Sequence, residues 1–492
     1  MTTLTQEATV VGITVPTGLF IAGQWRDSQG QSRFDVHDPA TGAVIAHIAD
    51  ATTHDALDAL DAAAAAQNSW GSTSPRTRAE ILRMAYDLII SHREDIAAIT
   101  TAEMGRPLDQ SLGEVRYGAE FFRWFAEQTA HLHGNFGSSP NGDFDIITTK
   151  VPVGPSLLIT PWNFPLAMGT RKIGAALAAG CTTIIKPAAQ TPLTMAFLVR
   201  LLAEAGVPDG VVNFVPTSSA ATQSETLMND SRLRKVSFTG STGVGVRLLQ
   251  QAAPNIMRSS MELGGNGPFV ILEDADIDAA VDGAMVAKFR NGGQSCVAAN
   301  RIIVHRAIAQ EFLDKFVQRT KDLHVASGTT PGADIGPLID QRQRDRVQRL
   351  VNDAVQDGAT ILAGGHPISG NGYFYAPTVV TDVPESSAIA TEEIFGPVAV
   401  VITADSDDEA IRIANDTPFG LVAFVYATDV TRAFDAAKQI EAGMVGVNRG
   451  LVSEPGAPFG GMKASGLGRE GGHIGIDEYL ETKYIALGRT RP

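Results

Sequence analysis

The sequence predicts an α/β protein with a Rossmann-like dinucleotide-binding domain, a second α/β domain and a small β extension. Three observations carry that prediction. Short β-branched runs alternate with helix-like segments from about Val153 onward, a glycine cluster follows one of those runs, and a second alternating series begins near Pro268. At 492 residues the chain exceeds what one hydrophobic core supports, so two or three domains are expected.

Taken in order, Ser156 to Thr160, Thr182 to Lys186, Val211 to Val215 and Lys235 to Thr239 read as buried strands. Leu166 to Ala179 and Leu193 to Ala205 read as the helices between them. The second series runs from Pro268 through Arg301 to His305, Val398 to Ala404 and Leu421 to Thr428, again with helices between. Residues Thr53 to Ile99 are Ala-rich and helical in pattern, and are expected to pack on the first domain. Asp143 to Val151 alternates like an exposed strand without a neighbour close in sequence, so a partner subunit is expected to supply one.

The composition is 44% hydrophobic and 19% charged, with 49 glycines and 25 prolines, which fits a turn-rich globular protein. A formal net charge of -15 argues against nucleic acid, whose binding needs a basic stripe. Met1 to Val15 has no basic segment followed by a long apolar run, and nowhere do about 18 apolar residues run uninterrupted. Neither secretion nor a membrane partner is expected, therefore. The two cysteines, Cys181 and Cys296, are too few for a disulfide framework and fit a reducing cytoplasm.

Two glycine clusters compete for phosphate. Gly466, Gly468 and Gly471 spell G-x-G-x-x-G, but no apolar strand leads into them, so a flexible active-site or interface loop is the better reading. Gly240, Gly243 and Gly245 follow the strand Lys235 to Thr239 and open a helix-like segment, which sets free N–H groups and a helix N-terminus beside a bound phosphate. A tight strand-to-helix turn with no ligand is the alternative. Glu262 stands where a Rossmann ribose-binding acid would stand, yet its glycine-rich neighbours allow another task.

Cys296 lies in a small polar loop, Asn291-Gly-Gly-Gln-Ser-Cys, after the helical stretch Ile277 to Arg290. Accessible polar loops with free N–H groups suit a nucleophilic thiol, although a passive loop cysteine fits the same pattern. Cys181 is flanked by apolar residues and reads as a packed core thiol. Glu262, in Met261-Glu-Leu-Gly-Gly, is an acid followed by glycines that permit close backbone approach.

Together, Pro161-Trp-Asn-Phe-Pro, Lys186-Pro-Ala-Ala-Gln-Thr-Pro, Phe238-Thr-Gly-Ser, Glu262-Leu-Gly-Gly, Gly293-Gln-Ser-Cys, Glu393-Ile-Phe-Gly-Pro and Pro458-Phe-Gly-Gly resemble, in this order, the aldehyde dehydrogenase superfamily. The resemblance runs from Phe20-Ile-Ala-Gly-Gln-Trp to the C-terminal region. It implies an aldehyde dehydrogenase-like fold, with residues 1–129 and 153–264 binding the dinucleotide and 265–464 forming the catalytic domain. Residues 130–152 and 465–492 would form oligomerisation and C-terminal segments of a homodimer or homotetramer.

By that resemblance Cys296 attacks the aldehyde, Asn163 and the Cys296 N–H hold the oxyanion, and Glu262 activates the water that hydrolyses the thioester, with no metal involved. NADP or NAD would lie along Thr160, Pro161, Trp162, Lys186, Ala189, Gly240, Ser241, Gly245, Glu393 and Phe395. The runs Lys288-Phe-Arg-Asn-Gly-Gly-Gln-Ser-Cys, Thr170-Arg-Lys-Ile-Gly and Gly443 to Ser453 look like the succinic semialdehyde dehydrogenase branch. That branch implies a small aldehyde substrate whose far carboxylate meets Arg171, Arg290 and Ser453. Guanidinium forks and a hydroxyl suit such a group on chemical grounds as well. Two departures stand out. Ala298 replaces a second cysteine, which excludes a disulfide there, and Ala189 replaces a glutamate of NAD-preferring relatives, which permits NADP, with Lys186 and Ser218-Ser219 as phosphate partners.

Overall fold

The computed structural model describes residues 6–489, so the first five residues of the expected 1–129 segment and the last three of 465–492 lie outside it. An eight-stranded sheet orders its strands Gly466–Leu467, Arg258–Glu262, Lys235–Thr239, Ser156–Ile159, Thr183–Lys186, Val212–Phe214, Leu19–Ile21 and Gln24–Arg26. Its five central strands are parallel. These strands are buried throughout, Arg258 and Ser259 aside, as parallel strands covered on both faces must be. That double burial is why they appear in the sequence as continuous apolar runs.

Between Glu262 and Gly267 the chain passes into a seven-stranded sheet, ordered Thr360–Ala363, Thr378–Thr381, Val398–Ala404, Ala299–His305, Gly267–Ile271, Val422–Tyr426 and Met444–Val447. Only the Thr360–Ala363 edge is antiparallel. Each sheet carries its own apolar clusters.

The Ala-rich N-terminal region forms helices Thr53–Ser72, Pro75–Ser91 and Arg93–Met104, followed by Leu108–Thr129. Two of their acids perform a task the sequence did not reveal. Helices Ala167–Ala179 and Leu193–Glu204 start without side-chain caps of their own. Glu114 accepts the N–H groups of Leu166 and Ala167, both at 2.9 Å. Glu103 accepts those of Leu193 at 2.7 Å and Thr194 at 2.8 Å. Orphaned helix-start amides are thus satisfied from neighbouring helices, and Arg106 pairs with Glu114 in the same buried layer.

Two expectations are corrected. The strand near Asp143 to Val151 is Phe144–Pro152, and its neighbour comes from this chain: Leu480–Gly488 pairs with it antiparallel from Leu480↔Pro152 to Gly488↔Phe144. Phe136–Ser138 closes the other edge. Gly466 to Gly471 is no free loop either, since Gly466–Leu467 pairs with Glu262 and Met261 and the following Glu470 is buried. Among the described residues, no helix is long and apolar enough to cross a membrane.

Candidate active site

The strand order reverses between Ser156–Ile159 and Lys235–Thr239, which lie side by side. Ligands of open parallel sheets bind at the carboxyl ends of strands at such a switch point. From those two ends the chain delivers Pro161 and Trp162 on one side and Gly240 and Ser241 on the other. They line a cavity of about 330 Å³ together with Asn163, Cys296, Glu393 and Phe395. Thr160, Lys186, Ala189, Gly245 and Glu262 are not part of that lining.

A dinucleotide fits the chemistry of these walls. A Cβ at Gly240 would lie 2.4 Å from the Phe238 ring and one at Gly245 2.4 Å from Leu263, so the turn admits only bare backbone. Helix Thr242–Ala252 begins there with no side chain capping its first amides. Trp162 and Phe395 meet edge to face with centroids 5.3 Å apart. Glu393 accepts the Gly265 N–H at 3.1 Å, and burial pushes its carboxyl up to about 7. Burial brings Lys186 down to about 8, and its Nζ donates to the Pro187 carbonyl at 3.0 Å. The Ser218 hydroxyl donates to Asp50 at 2.5 Å and is already engaged.

The loop that carries Cys296 owes its shape to three successive left-handed residues, Asn291, Gly292 and Gly293, at φ 55°, 60° and 71°. At Gly293 a Cβ would sit 2.2 Å from the Gly396 carbonyl oxygen, so the loop packs directly on the Glu393–Gly396 segment. Asn291 Nδ2 donates to the carbonyls of Asn163 at 3.1 Å and Gln294 at 3.0 Å, and Asn163 Nδ2 also donates to Gln294 at 3.1 Å. These bonds clamp Asn163 beside the partly buried Cys296.

Burial pushes the Cys296 thiol up to about 12, offset in part by the Arg171 guanidinium. Glu262 is buried with neither carboxylate oxygen hydrogen-bonded to protein. Burial first, then the charge of Glu470, raises it well above the usual carboxylate range. Burial acts on Glu470 too, but Arg171 and Lys172 outweigh it and hold Glu470 low. The two acids are therefore pushed apart, Glu470 below and Glu262 above the usual carboxylate range, as coupled carboxylates are. Cys181, by contrast, is buried and donates to the Tyr479 carbonyl at 3.3 Å.

A second cavity of about 300 Å³ is lined by Arg290, Ser453, Tyr117, Phe164, Gln110 and Arg106, among others. Asn163 faces the first cavity and its neighbour Phe164 the second, so one loop separates them. The Arg290 guanidinium lies 5.2 Å over the Phe164 ring and forms no ion pair with the described residues. Arg171 is not brought to this lining. It is ion-paired with Glu470 and lies 4.2 Å over the Phe459 ring.

Sequence reasoning missed the Arg171, Lys172 and Glu470 cluster, in which Lys172 Nζ reaches Glu470 at 2.5 Å and Ser237 at 3.0 Å. A usable signal existed: two adjacent cations in an otherwise apolar helix require a buried acid. Tyr117, Gln343 and Arg346, which also line the cavities, carried no such mark.

Comparison with known proteins agrees with this geometry. Succinate-semialdehyde dehydrogenase of Paenarthrobacter nicotinovorans is 53% identical over 90% of this chain and 99% of its own length. Glutarate-semialdehyde dehydrogenase of Pseudomonas putida is 44% identical over 95% and 97%, respectively. The NADP(+) succinate-semialdehyde dehydrogenase of Escherichia coli is 43% identical over 95% and 97%. The crystal structure of an aldehyde dehydrogenase from Brucella melitensis biovar abortus superposes with TM-score 0.95 at 45% identity, over 97% of this chain and 98% of that one. An NAD+ complex of the Bacillus cereus aldehyde dehydrogenase gives 0.94 at 37% identity, over 96% and 97%. With the aldehyde dehydrogenase family model matching residues 25–485, the chain belongs to the aldehyde dehydrogenase family.

Proposed function

We propose that this protein oxidises an aldehyde bearing a carboxylate at its far end, succinic semialdehyde first and glutaric semialdehyde next, to the acid with NADP or NAD. One observation carries the substrate class: Arg290, with no anionic partner among the described residues, faces a cavity beside Ser453 and next to the loop that holds Asn163. An unpaired guanidinium in a partly desolvated cavity favours an anionic ligand. The names of the relatives support the same class.

Chemistry follows from the first cavity. Cys296 sulfur, once deprotonated, adds to the carbonyl carbon, and the carbonyl π pair becomes an oxyanion. Asn163 Nδ2, held by Gln294, and the Cys296 N–H are the donors for it. When bound, NADP or NAD accepts the hydride released from that carbon. The C–H pair having left, the oxyanion re-forms a carbonyl and Cys296 carries a thioester. Glu262, once ionised, takes a proton from water, the hydroxide adds to the thioester carbon, and the C–S bond breaks to free the acid and the Cys296 thiolate.

In the cofactor cleft, Gly240, Ser241 and the start of helix Thr242–Ala252 suit the pyrophosphate, Lys186 and Glu393 the two riboses, and Phe395 with Trp162 the nicotinamide side. Thr160 and Gly245 are buried beside these contacts, and the half-exposed Ala189 lies at the ribose end near Lys186. NADP finds support in the name of the E. coli relative and NAD in the B. cereus complex.

The assembly is proposed as a homodimer or homotetramer, because Tyr484, Ile485 and Leu487 stand exposed on the Leu480–Gly488 strand. Two free cysteines fit a cytoplasmic location. The proposed division, 1–129 with 153–264 against 265–464, is supported by the two sheets, with Gly466–Leu467 of the C-terminal segment joining the first. Steady-state formation of reduced nicotinamide over a panel of ω-carboxylated and neutral aldehydes, with both cofactors, tests the reading. Highest kcat/KM on succinic or glutaric semialdehyde supports it, and preference for a neutral aldehyde refutes it.

A further inference from the structure

Helix Leu108–Thr129 grips both loops of the reacting pair, a task the chemistry above does not give it. Gln110, Glu114 and Gly118 stand four residues apart on it and so form one stripe. At Gly118 the helix lies against the start of helix Ala167–Ala179, where a Cβ would sit 3.2 Å from the Leu166 side chain and 3.3 Å from Ala167 Cα. One turn earlier, a single Glu114 oxygen accepts the N–H groups of Leu166 and Ala167, both at 2.9 Å, while the other oxygen pairs with Arg106. Those amides close the short loop that begins with Asn163, so its far end is fixed to the helix.

Another turn earlier, Gln110 meets the loop that carries Cys296. Its Oε1 accepts the Asn291 N–H at 2.8 Å and its Nε2 donates to the Asp334 carbonyl at 2.9 Å, so both ends of the amide are committed. The Leu108 N–H adds a further fastening on that side, to the Gly328 carbonyl at 3.0 Å. Asn291 needs such a hold. It is left-handed at φ 55° without being glycine, and such a conformation persists where the surroundings over-determine it. Gly292 and Gly293 follow it, and glycines leave a loop free to take other shapes. The Asn291 side chain then carries the position onward, donating to the carbonyls of Asn163 at 3.1 Å and Gln294 at 3.0 Å. A chain of hydrogen bonds thus runs from Gln110 through Asn291 to Asn163, and the helix meets the Asn163 loop again at Glu114.

We propose that Gln110 is a positioning residue that fixes Asn291 at the start of the Cys296 loop and, with Glu114 one turn along the helix, sets the spacing between the Asn163 side chain and the Cys296 thiol. The proposal rests on the reading of that pair as oxyanion donor and nucleophile. Without the Gln110 bond, Asn291 is free to leave its left-handed conformation, and the Cys296 loop shifts against an Asn163 loop that Glu114 still holds. A displacement of about 1 Å is enough to slow a reaction about a hundredfold. Gln110 is the residue to change, because it is half-buried, whereas removing Glu114 would strand the buried Arg106 without its anion.

The test is the rate of the first turnover, read by stopped flow as reduced nicotinamide forms on the full-length protein at saturating cofactor. Butanal is the substrate, since it has no carboxylate to meet Arg290. The parent, Gln110→Met, Asn163→Ala and the double variant form a cycle; Gln110→Leu takes the place of Gln110→Met should that variant fail to fold. Gln110→Met should slow the first turnover about ten- to a hundredfold, with the equilibrium Kd for the cofactor unchanged. In the Asn163→Ala background the same change should cost about threefold or less, because spacing to an absent donor no longer counts. A parental rate in Gln110→Met, a loss that multiplies in full with Asn163→Ala, or a loss that tracks weaker cofactor binding overturns the proposal and leaves the oxyanion reading standing. A parental rate in Asn163→Ala removes that reading and the spacing claim with it.

Discussion

Asn163 donates its side-chain amide to the carbonyl of Gln294 at 3.1 Å, two residues before the Cys296 thiol. The clamp is double, because Asn291 Nδ2 binds both the Asn163 and Gln294 carbonyls. Asn163→Ala removes the donor and one strut of the clamp together. A fall in kcat of about 10²- to 10³-fold is expected, with cofactor Kd unchanged. Stopped-flow measurement of the first turnover checks this. A normal acylation rate would take the oxyanion role from Asn163.

Glu262 stands well above the ordinary carboxylate range through burial and the ionised Glu470. A base held in its protonated form gains activity as pH rises, because only the ionised carboxylate can take a proton from water. Deacylation should therefore speed up with pH in the parent. In Glu262→Gln it should be slow and lose that dependence, leaving one burst of reduced cofactor per active site. Steady-state rates in that variant matching the parent at every pH would mean that another base serves.

Arg171 and Arg290, grouped in the sequence, should part in experiment. Arg171 is buried against Glu470, so Arg171→Ala leaves an acid buried with one cation fewer and costs about 3–5 kcal/mol of stability. It also removes the cation that partly offsets the raised Cys296 thiol, so turnover of every aldehyde should drop together. Thermal melts and parallel assays on succinic semialdehyde and butanal decide the point. A loss confined to succinic semialdehyde, at unchanged Tm, would return Arg171 to the substrate carboxylate.

Ala189 leaves the neighbourhood of Lys186 without an acid, while Ser218 is spent on Asp50. Ala189→Glu should lower kcat/KM for NADP relative to NAD by about tenfold, since one added charge near the 2′-phosphate costs on the order of 1–2 kcal/mol. The ratio of the two efficiencies, parent against variant, is the readout. No change in it would mean that the phosphate lies away from residue 189.

Most of the parallel core was legible because strands such as Thr183–Lys186 and Val422–Tyr426 are buried on both faces and leave unbroken apolar runs. The wall formed by Pro161 to Asn163, Cys296, Glu393 and Phe395 was legible through the ordered motifs that resemble a known family, and its Gly240 turn was legible from backbone geometry as well, because a strand running into glycines and a helix start suits a phosphate. Pairings across long separations left no such trace. Phe144–Pro152 finds its neighbour at Leu480–Gly488, and Lys172 finds Glu470 298 residues away. Their side chains satisfy charges and ladder bonds that only the folded chain brings together.

Arg290 carries the claim that the substrate is an ω-carboxylated aldehyde, and its variant gives the most direct measurement. The ratio of kcat/KM for succinic semialdehyde to that for butanal should fall at least about tenfold in Arg290→Ala, since a charge-assisted bond of about 1.5–3 kcal/mol is lost to one substrate only. Butanal itself should be oxidised nearly as in the parent, because its carbonyl still meets Cys296 and Asn163. An equal loss on both substrates, or a parent enzyme that already prefers butanal, would contradict the account.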